Sequence, residues 1–159
     1  MNIRIGFGFD VHQLAAGKDF WLGGILVPHV KGAVGHSDAD VLIHTICDAI
    51  LGAADLRDIG FHFPNTDERY KGADSKLLLK EVVALLDKNG YGIGNVDSTL
   101  SLEAPKINPH IEAMQNAAKC FEGEHDLWNY ATKSNSATQT IRIIESCEIV
   151  KNTFYTASF

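Results

Sequence analysis

The sequence has few cysteines and no paired-cysteine motif. Three of its 159 residues are cysteines, Cys47, Cys120 and Cys147, and no two of them form a CxxC pair. An odd number of widely spaced thiols argues against a disulfide framework and indicates a reducing compartment. We therefore expect the three thiols to be core residues.

Basic residues are also in the minority. The 14 lysines and arginines are outnumbered by 20 acidic residues, the formal net charge is −6, and no basic run occurs. Because nucleic acids and anionic membranes attract clustered positive charge, neither is an expected partner, and a small soluble ligand fits better. No apolar run approaches the roughly 18 residues needed to span a bilayer, and no charged segment precedes an apolar stretch at the N-terminus. We expect a cytoplasmic protein.

Length and composition predict one compact unit. A chain of 159 residues that is 45% hydrophobic suffices for one core, so residues 1–159 are expected to form a single domain. Strand and helix patterns alternate without a repeat or linker, which predicts an α/β (α+β) fold with a single mixed β-sheet and helices packed on one face. The expected strands cover residues 3–9, 95–103 and 140–150, a hairpin over 20–28 turns at Gly23-Gly24, and helices cover 38–54, 74–89 and the residues after Asn108.

Three polar residues at a strand end and on a helix suit a metal ion. Alternation over residues 3–9 predicts a strand with one buried face, and this strand carries Asp10 and His12 at its exit on the same side. His44 shares a stripe of the first helix with Asp48. Imidazole and carboxylate ligands suit zinc or another borderline divalent ion, and three protein ligands leave one position open. The alternative is ordinary polar residues, with Asp48 either orienting the His44 ring or solvated on the helix face.

Two further segments suit ligand binding. The 20 residues from Asp55 to Asp74 have little periodicity and exceed a plain connection, which is typical of a binding loop, with a solvated surface loop as the alternative. His36 and Ser37 stand just before the first helix, where free N–H groups and the helix dipole favour an anion such as phosphate. The alternatives are a polar loop residue for His36 and a helix cap for Ser37, with Asp40 completing a capping box.

Several motifs occur together and in order over the first two thirds of the chain. They are Asp10-Val11-His12, Gly35-His36-Ser37-Asp38-Ala39-Asp40-Val41, Asp58-Ile59-Gly60, Phe63-Pro64-Asn65-Thr66-Asp67, Gly72-Ala73-Asp74-Ser75, Gly94-Asn95-Val96-Asp97 and Ala104-Pro105-Lys106. In these motifs the chain resembles the 2-C-methyl-D-erythritol 2,4-cyclodiphosphate synthase family as far as about residue 111. The resemblance implies a lyase that cyclises 4-diphosphocytidyl-2-C-methyl-D-erythritol 2-phosphate and releases CMP, a step of non-mevalonate isoprenoid precursor biosynthesis.

The resemblance also implies a site and an assembly. It implies Asp10, His12 and His44 as ligands of a divalent metal, with zinc as the first choice, and a second divalent ion, magnesium or manganese, on the diphosphate. It implies His36 and Lys133 as catalytic residues. The implied contacts with the cytidine diphosphate substrate are Ser37, Asp58, Ile59, Gly60, Phe63, Pro64, Asn65, Thr66, Asp67, Ala104, Pro105, Lys106, Ala131 and Thr132, although Lys106 has an equal interpretation as a surface lysine. The implied assembly is a homotrimer in which the sheets face each other and the active sites lie between neighbours.

The last third departs from the family pattern. Where the family has Lys-Ala-Thr-Thr-(Thr/Ser)-Glu-Lys-Leu-Gly, residues 130–137 of this chain are Tyr-Ala-Thr-Lys-Ser-Asn-Ser-Ala. Lys133 therefore stands in place of a threonine, and Asn135 in place of an acid. Two origins are open, a frameshift from about Thr132 and natural divergence. Two main functions are open with them: an active synthase, and a metal-binding trimeric relative with weak or no activity. A metal phosphohydrolase that releases inorganic phosphate is a more remote alternative.

Overall fold

The computed structural model of the chain describes residues 3–118, 129–135 and 138–144. Its strands are β1 (Leu14–Ala16), β2 (Trp21–Leu22), β3 (Ile25–Leu26), β4 (Lys31–Ala33), β5 (Asp97–Leu102), β6 (Asn129–Asn135) and β7 (Thr138–Ile144). Its helices are α1 (Val41–Ala53), α2 (Ile59–His62), α3 (Ser75–Lys88) and α4 (Ile111–Ala118), with 3-10 turns at Glu68–Tyr70 and Asn108–His110. The mixture confirms the expected α/β class. None of the helices within these ranges combines the length and the apolar character that crossing a membrane requires.

Helix α1 lies at the centre of the core. Six of its 13 residues are buried and recur at three- and four-residue steps: Leu42, Ile43, Ile46, Cys47, Ile50 and Leu51. Helix α3 packs against it through a second buried stripe of Leu78, Leu79, Val82 and Leu86. Cys47 is a core thiol as expected, and burial raises its pKa, which makes it unreactive. Cys120 and Cys147 lie outside the described residues.

Helix α1 begins later than expected, at Val41. Asp40 is its N-cap, because the Asp40 side chain accepts a hydrogen bond from the N–H of Ile43 at 3.1 Å. The same carboxylate accepts from the N–H groups of Gly23 and Gly24 at 3.0 and 2.7 Å. These glycines have φ values of 59° and 80° at the turn between β2 and β3, which confirms the expected Gly-Gly hairpin. One fully buried carboxylate thus joins the hairpin to the start of α1.

The other helices and the long strand lie near their expected bounds. Helix α3 is capped by Asp74, whose side chain accepts from the N–H of Lys76 at 2.9 Å, and it ends at Lys88 with Asn89 as its C-cap. Gly90 follows with a φ of 76°, the left-handed conformation that is typical of a residue just after a helix. Asn108 and the proline after it open a 3-10 turn that leads into α4. Strand β5 occupies the segment expected over residues 95–103.

The N-terminal segment differs from the expected strand. Residues 3–13 belong to no strand, and the apolar residues of this segment are exposed: Ile3, Ile5, Phe7, Phe9 and Val11. The intervening glycines face α1. A Cβ atom would lie 1.8 Å from the carbonyl oxygen of Ala49 at Gly6, and 2.0 Å from that of Thr45 at Gly8. Within one chain the apolar residues therefore do not form the buried face that was expected, because the glycine side packs on the helix.

The described strands form three small antiparallel sheets, which differs from the expected single mixed sheet. β1 pairs with β4, β2 pairs with β3, and the third sheet has the order β5-β7-β6. β7 pairs with β5 from Asp97↔Ile144 to Leu102↔Gln139, and with β6 from Asn129↔Ile144 to Asn135↔Thr138. For the pairs β2–β3 and β6–β7, the connection of two residues is too short for a parallel crossover, which needs about a dozen residues or more. The strand expected over 140–150 is present as β7, and residues 145–150 lie outside the described ranges.

Candidate metal centre and binding loops

The structure brings Asp10, His12 and His44 together. One possible ligand atom of each residue lies within 4.8 Å of the others. Oδ2 of Asp10 lies 3.1 Å from Nδ1 of His12 and 3.2 Å from Nδ1 of His44. Helix α1 supplies His44, and the glycine face of the N-terminal segment places Asp10 and His12 alongside that helix.

Gly35, a motif residue for which no role was predicted, makes room for the His12 ring. A Cβ atom at Gly35 would lie 3.2 Å from Nε2 of His12 and 2.8 Å from Cβ of Ala39. No larger residue fits there unless the ring or Ala39 moves. The feature of the sequence that could have indicated this role is the position of Gly35 directly before His36 and Ser37.

The donor atoms of the cluster fit a divalent cation. Nδ1 of His12 is buried and makes no hydrogen bond, although Oδ2 of Asp10 lies 3.1 Å away. Burial alone raises the pKa of Asp10, but the two imidazoles outweigh burial and hold that pKa well below its usual range. Asp10 is therefore a carboxylate. Two imidazole nitrogens and a carboxylate oxygen suit zinc and similar ions, and they leave one tetrahedral position open.

Two hydroxyl groups hold the far side of the His44 ring. Nε2 of His44 lies 2.9 Å from Oγ of Ser75 and 3.0 Å from Oγ of Ser37. The hypothesis that Asp48 orients this ring is wrong, because the Asp48 carboxylate accepts a hydrogen bond from the N–H of Ile59 at 2.8 Å. A ring with partners at both nitrogens keeps Nδ1 directed at the cluster.

Ser37 and His36 have different partners just before α1. Ser37 does not cap the helix, so the capping-box alternative is wrong, and its Oγ accepts from the N–H of Ala39 at 3.2 Å. Nε2 of His36 donates to the carbonyl oxygen of Asp67 at 3.1 Å. One of these residues therefore faces the metal cluster, and the other faces the long loop.

The loop over residues 55–74 returns to this point of the chain. The N–H of Gly72 donates to the carbonyl of His36 at 2.8 Å, and the N–H of Asp38 donates to the carbonyl of Ala73 at 3.0 Å. With the contact between His36 and Asp67, these bonds place the second half of the loop beside the residues that precede α1.

The Asp58-Ile59-Gly60 segment is ordered by two capping contacts. Asp58 caps α2 and accepts from the N–H of Phe61 at 2.8 Å, and Ile59 donates to Asp48 of α1. Burial raises the pKa of Asp48, and the charges of Asp58 and Asp10 raise it further. The first part of the loop is thus a short helix tied to α1, not an irregular segment.

The Phe63–Asp67 segment has a packed end and an exposed end. The Phe63 ring meets the ring of Tyr70 edge to face at 5.3 Å. Pro64 is partly buried, and Asn65 and Thr66 are exposed. The Arg69 guanidinium donates to the Asp67 carboxylate, with the closest contact at 2.6 Å, and it lowers the pKa of that carboxyl group. The polar groups of this segment therefore face solvent.

The remaining predicted contacts lie in two other places. Ala104 and Pro105 are joined by a cis peptide bond in the turn after β5, and the next residue, Lys106, is exposed. Residues 131–133 lie in β6, opposite residues 140–142 of β7. The roles of these residues in ligand binding stay predictions.

Fold and cluster together define a class, a small α/β protein with a His-His-Asp cluster beside a helix start and a long loop. The profile of the YgbB family matches residues 3–138. The chain belongs to the YgbB family.

The named relatives of this chain belong to the family that its motifs resemble. The chain is 66% identical over 117 residues to 2-C-methyl-D-erythritol 2,4-cyclodiphosphate synthase of Cytophaga hutchinsonii, which covers 74% of each chain. It is 57% identical over 123 residues to the synthase of Bacteroides thetaiotaomicron, which covers 77% of each chain. The resemblance drawn from the motifs is thereby confirmed.

Solved structures of synthases share the fold. One, a 2-C-methyl-D-erythritol 2,4-cyclodiphosphate synthase in a form with bound CDP, is 30% identical with a TM-score of 0.69 and covers 90% of this chain and 99% of its own. Another, IspF of Plasmodium falciparum in a CDP complex, is 26% identical with a TM-score of 0.65 and covers 89% of this chain and 94% of its own.

Proposed function

We propose that the chain catalyses the cyclisation of 4-diphosphocytidyl-2-C-methyl-D-erythritol 2-phosphate to 2-C-methyl-D-erythritol 2,4-cyclodiphosphate, with release of CMP. Relatives that are up to 66% identical bear the name of this activity, and two solved neighbours bind CDP. The observation that carries the proposal is the convergence of Asp10, His12 and His44 beside Ser37 and the long loop. The comparisons favour this active synthase over the weakly active relative.

The reaction asks for positioning and charge neutralisation, and it needs no protein nucleophile. An oxygen of the 2-phosphate attacks the β-phosphorus, a new P–O bond forms, and the bond from that phosphorus to the CMP oxygen breaks. The electron pair of the broken bond leaves with CMP. Because the substrate supplies its own nucleophile, the protein contributes mainly orientation and electrostatic stabilisation.

The proposal includes a metal ion that three side chains bind. Asp10, His12 and His44 hold a divalent ion, and the nitrogen-rich donor set makes zinc the first choice. When bound, the ion supplies Lewis acidity toward the diphosphate oxygens. A second divalent ion, magnesium or manganese, belongs to the proposal as a partner of the phosphate oxygens.

Each segment around the cluster binds a different part of the substrate. His36 and Ser37 bind phosphate before the start of α1, where backbone N–H groups also favour an anion. The Asp58–Gly60 and Phe63–Asp67 segments hold the methylerythritol and its phosphate. Ala104, Pro105, Lys106, Ala131 and Thr132 form the cytidine side, and Lys133 acts on the diphosphate. The contact between His36 and Asp67 supports this division because it joins the two phosphate-side segments.

A homotrimer is part of the proposal. Its support is the exposed apolar row on the N-terminal segment, formed by Ile3, Ile5, Phe7, Phe9 and Val11. Light scattering is expected to give about three times the chain mass of 17.4 kDa, as a closed threefold ring requires. A monomer at micromolar concentration would contradict it. A cytoplasmic location, without nucleic acid or membrane as partner, is proposed from the cysteine usage and the acidic charge balance.

A direct assay of CMP release tests the activity. With magnesium present throughout, the zinc-loaded chain is expected to convert the substrate into CMP and the cyclic diphosphate, to stop when a chelator removes the zinc, and to recover when zinc returns. No CMP release by the folded, zinc-loaded chain would refute the proposal. Release of inorganic phosphate would identify the phosphohydrolase instead.

Lys133→Thr in the same assay shows what the departure of the tail does. A slower reaction would show that the lysine neutralises charge on the diphosphate. A faster reaction, raised further by adding Asn135→Glu, would show that the altered tail limits the enzyme.

A further inference from the structure

Asp38 is a partly buried carboxylate that accepts three hydrogen bonds. Its Oδ2 accepts from the N–H of Ser75 at 2.9 Å, and its Oδ1 accepts from the N–H of Asp40 at 3.1 Å. Oδ1 also accepts from the Ser75 hydroxyl. A carboxylate has lone pairs but no hydrogen to donate. The hydrogen of the Ser75 hydroxyl is therefore committed to Asp38.

This commitment decides what Ser75 offers to His44. Oγ of Ser75 lies 2.9 Å from Nε2 of His44, and a hydroxyl that has donated its hydrogen can only accept there. Two facing lone pairs at this distance would repel each other, so the hydrogen between them belongs to Nε2. Oγ of Ser37 lies 3.0 Å from the same nitrogen and accepts a share of that hydrogen.

The other nitrogen of His44 is fixed by the same step. In a neutral imidazole, a hydrogen on one nitrogen leaves a lone pair on the other. Nδ1 of His44 is thus the nitrogen left to take up a proton or a metal ion, and it lies 3.2 Å from Oδ2 of Asp10. Because a carboxylate only accepts, this contact holds when a proton or a metal ion lies between the two atoms. Ser75 is 0% exposed, so water does not take over its contact with the ring.

We propose that Asp38 and Ser75 form a positioning relay that holds His44 as the Nε2–H tautomer, ready to bind a metal ion through Nδ1. The relay rests on the metal site of the proposed function, but it does not depend on the reaction. Ser75 is a positioning residue, because it acts on the metal only through His44. Partners of this kind typically change metal affinity about 10- to 100-fold.

Nitrogen NMR of the full chain with 15N-labelled histidine tests the tautomer directly. The signals of His44 are identified by their loss in His44→Gln. The metal-free chain is expected to carry a hydrogen on Nε2, and addition of zinc is expected to shift Nδ1 while Nε2 keeps its hydrogen. A wild-type chain in which Nε2 of His44 carries no hydrogen would overturn the relay, and this measurement needs no variant of Ser75.

Zinc affinity, measured by competition with a chromophoric chelator, tests the role of Ser75. Ser75→Ala is expected to bind zinc about 10- to 100-fold more weakly, and Ser75→Thr, which keeps the hydroxyl, is expected to stay near the wild-type affinity. Ser98→Ala removes another buried hydroxyl, in β5, and should leave the affinity unchanged. Unchanged affinity in a folded Ser75→Ala chain would contradict the relay. If that variant does not fold, Ser75→Cys replaces it, since a thiol is similar in size and a much weaker acceptor.

These measurements separate the relay from the proposed function. A chain with the Nε2–H tautomer and a zinc-weakened Ser75→Ala variant, but without CMP release, would refute the reaction and leave the relay intact. A chain that releases CMP but has no hydrogen on Nε2 of His44 would refute the relay alone.

Discussion

The region around His44 and the loop around Asp67 are joined in space, but their polar groups are satisfied in different ways. The His44 side chain is only 13% exposed, and both of its ring nitrogens have protein partners. The Asp67 carboxylate is held by Arg69, whose side chain is 78% exposed. Exposed ion pairs are screened by water and salt and contribute little, whereas buried polar contacts are costly to break. The polar contacts around His44 are thus costly to break, whereas the ion pair between Asp67 and Arg69 in the loop breaks at little cost.

His36 connects the two regions. Its backbone carbonyl accepts from Gly72 of the loop, and its ring donates to the carbonyl of Asp67, while its neighbour Ser37 contacts His44. A ligand that moves the loop therefore acts on the residue next to the fixed cluster. The predictions below test this contrast.

His12→Ala is expected to have the largest effect. It removes a nitrogen that has no hydrogen-bond partner in the structure, so zinc affinity should fall by more than about 100-fold while the domain stays folded. Elemental analysis and thermal unfolding measure the two quantities. His29→Ala, which removes a ring that contacts Phe20, is the matched control and should keep its zinc. Zinc retained by folded His12→Ala would remove this residue from the ligand set.

Gly8→Ala is expected to have the next largest effect. Its Cβ would lie 2.0 Å from the carbonyl oxygen of Thr45, so the segment that carries Asp10 must move. The free energy of unfolding should fall by about 1–3 kcal/mol, and zinc affinity should fall with it. Gly52→Ala is the control, because its Cβ meets nothing within 4 Å and should stabilise α1 by about 0.5–1 kcal/mol. Equal effects of the two substitutions would show that the segment does not pack on α1 as described.

Asp48→Ala is expected to have a moderate effect on substrate binding. It removes the acceptor for the N–H of Ile59, so the Asp58–Gly60 segment loses its tie to α1. KM should rise and unfolding should become easier by about 1 kcal/mol, with zinc affinity unchanged. Asp48→Asn keeps an acceptor oxygen and should remain close to wild type in KM. If Asp48→Asn raised KM as much as Asp48→Ala, the hydrogen bond to Ile59 would not be the reason.

Arg69→Ala is expected to have the smallest effect. Its ion pair with Asp67 is exposed, so the unfolding temperature should not change measurably, at low or at high salt. Lys71→Ala, which breaks the exposed pair with Glu68, provides the comparison. A clear loss of stability in Arg69→Ala alone would mean that the loop is as firmly held as the metal side.

Local patterns predicted the elements whose signals lie close together in sequence. The hairpin at Gly23-Gly24 and the helix from Ser75 to Asn89 were predictable because turn glycines and capping residues act within a few positions. The meeting of Asp10 and His12 with His44 was also anticipated from their positions at the end of one element and on another. The predicted binding residues at positions 36–37, 58–60, 63–67 and 104–106 all lie within the motifs that the chain shares with the family.

Contacts between distant parts of the chain were not predictable in this way. Ser75 lies in the helix predicted over residues 74–89, but nothing in that pattern shows that its side chain reaches Asp38 and His44, 37 and 31 positions away. The apolar residues over 3–9 were assigned to a buried face, because alternation shows that two faces differ but not which one meets the helix. Asp48 was paired with His44 by helical spacing, whereas its partner comes from the loop after the helix.

The glycines of the N-terminal segment set a distance by backbone alone. At Gly6 and Gly8 the chain rests on the carbonyl groups of α1, with no side chain between them. A side chain at such a contact has several rotamers, and switching among them would shift the spacing by more than the roughly 0.2 Å that metal–ligand bonds tolerate. Main-chain atoms in contact have no such alternatives. The distance between the segment that carries Asp10 and His12 and the helix that carries His44 is therefore set by main-chain contact. That contact is possible because Gly6 and Gly8 have no Cβ atom.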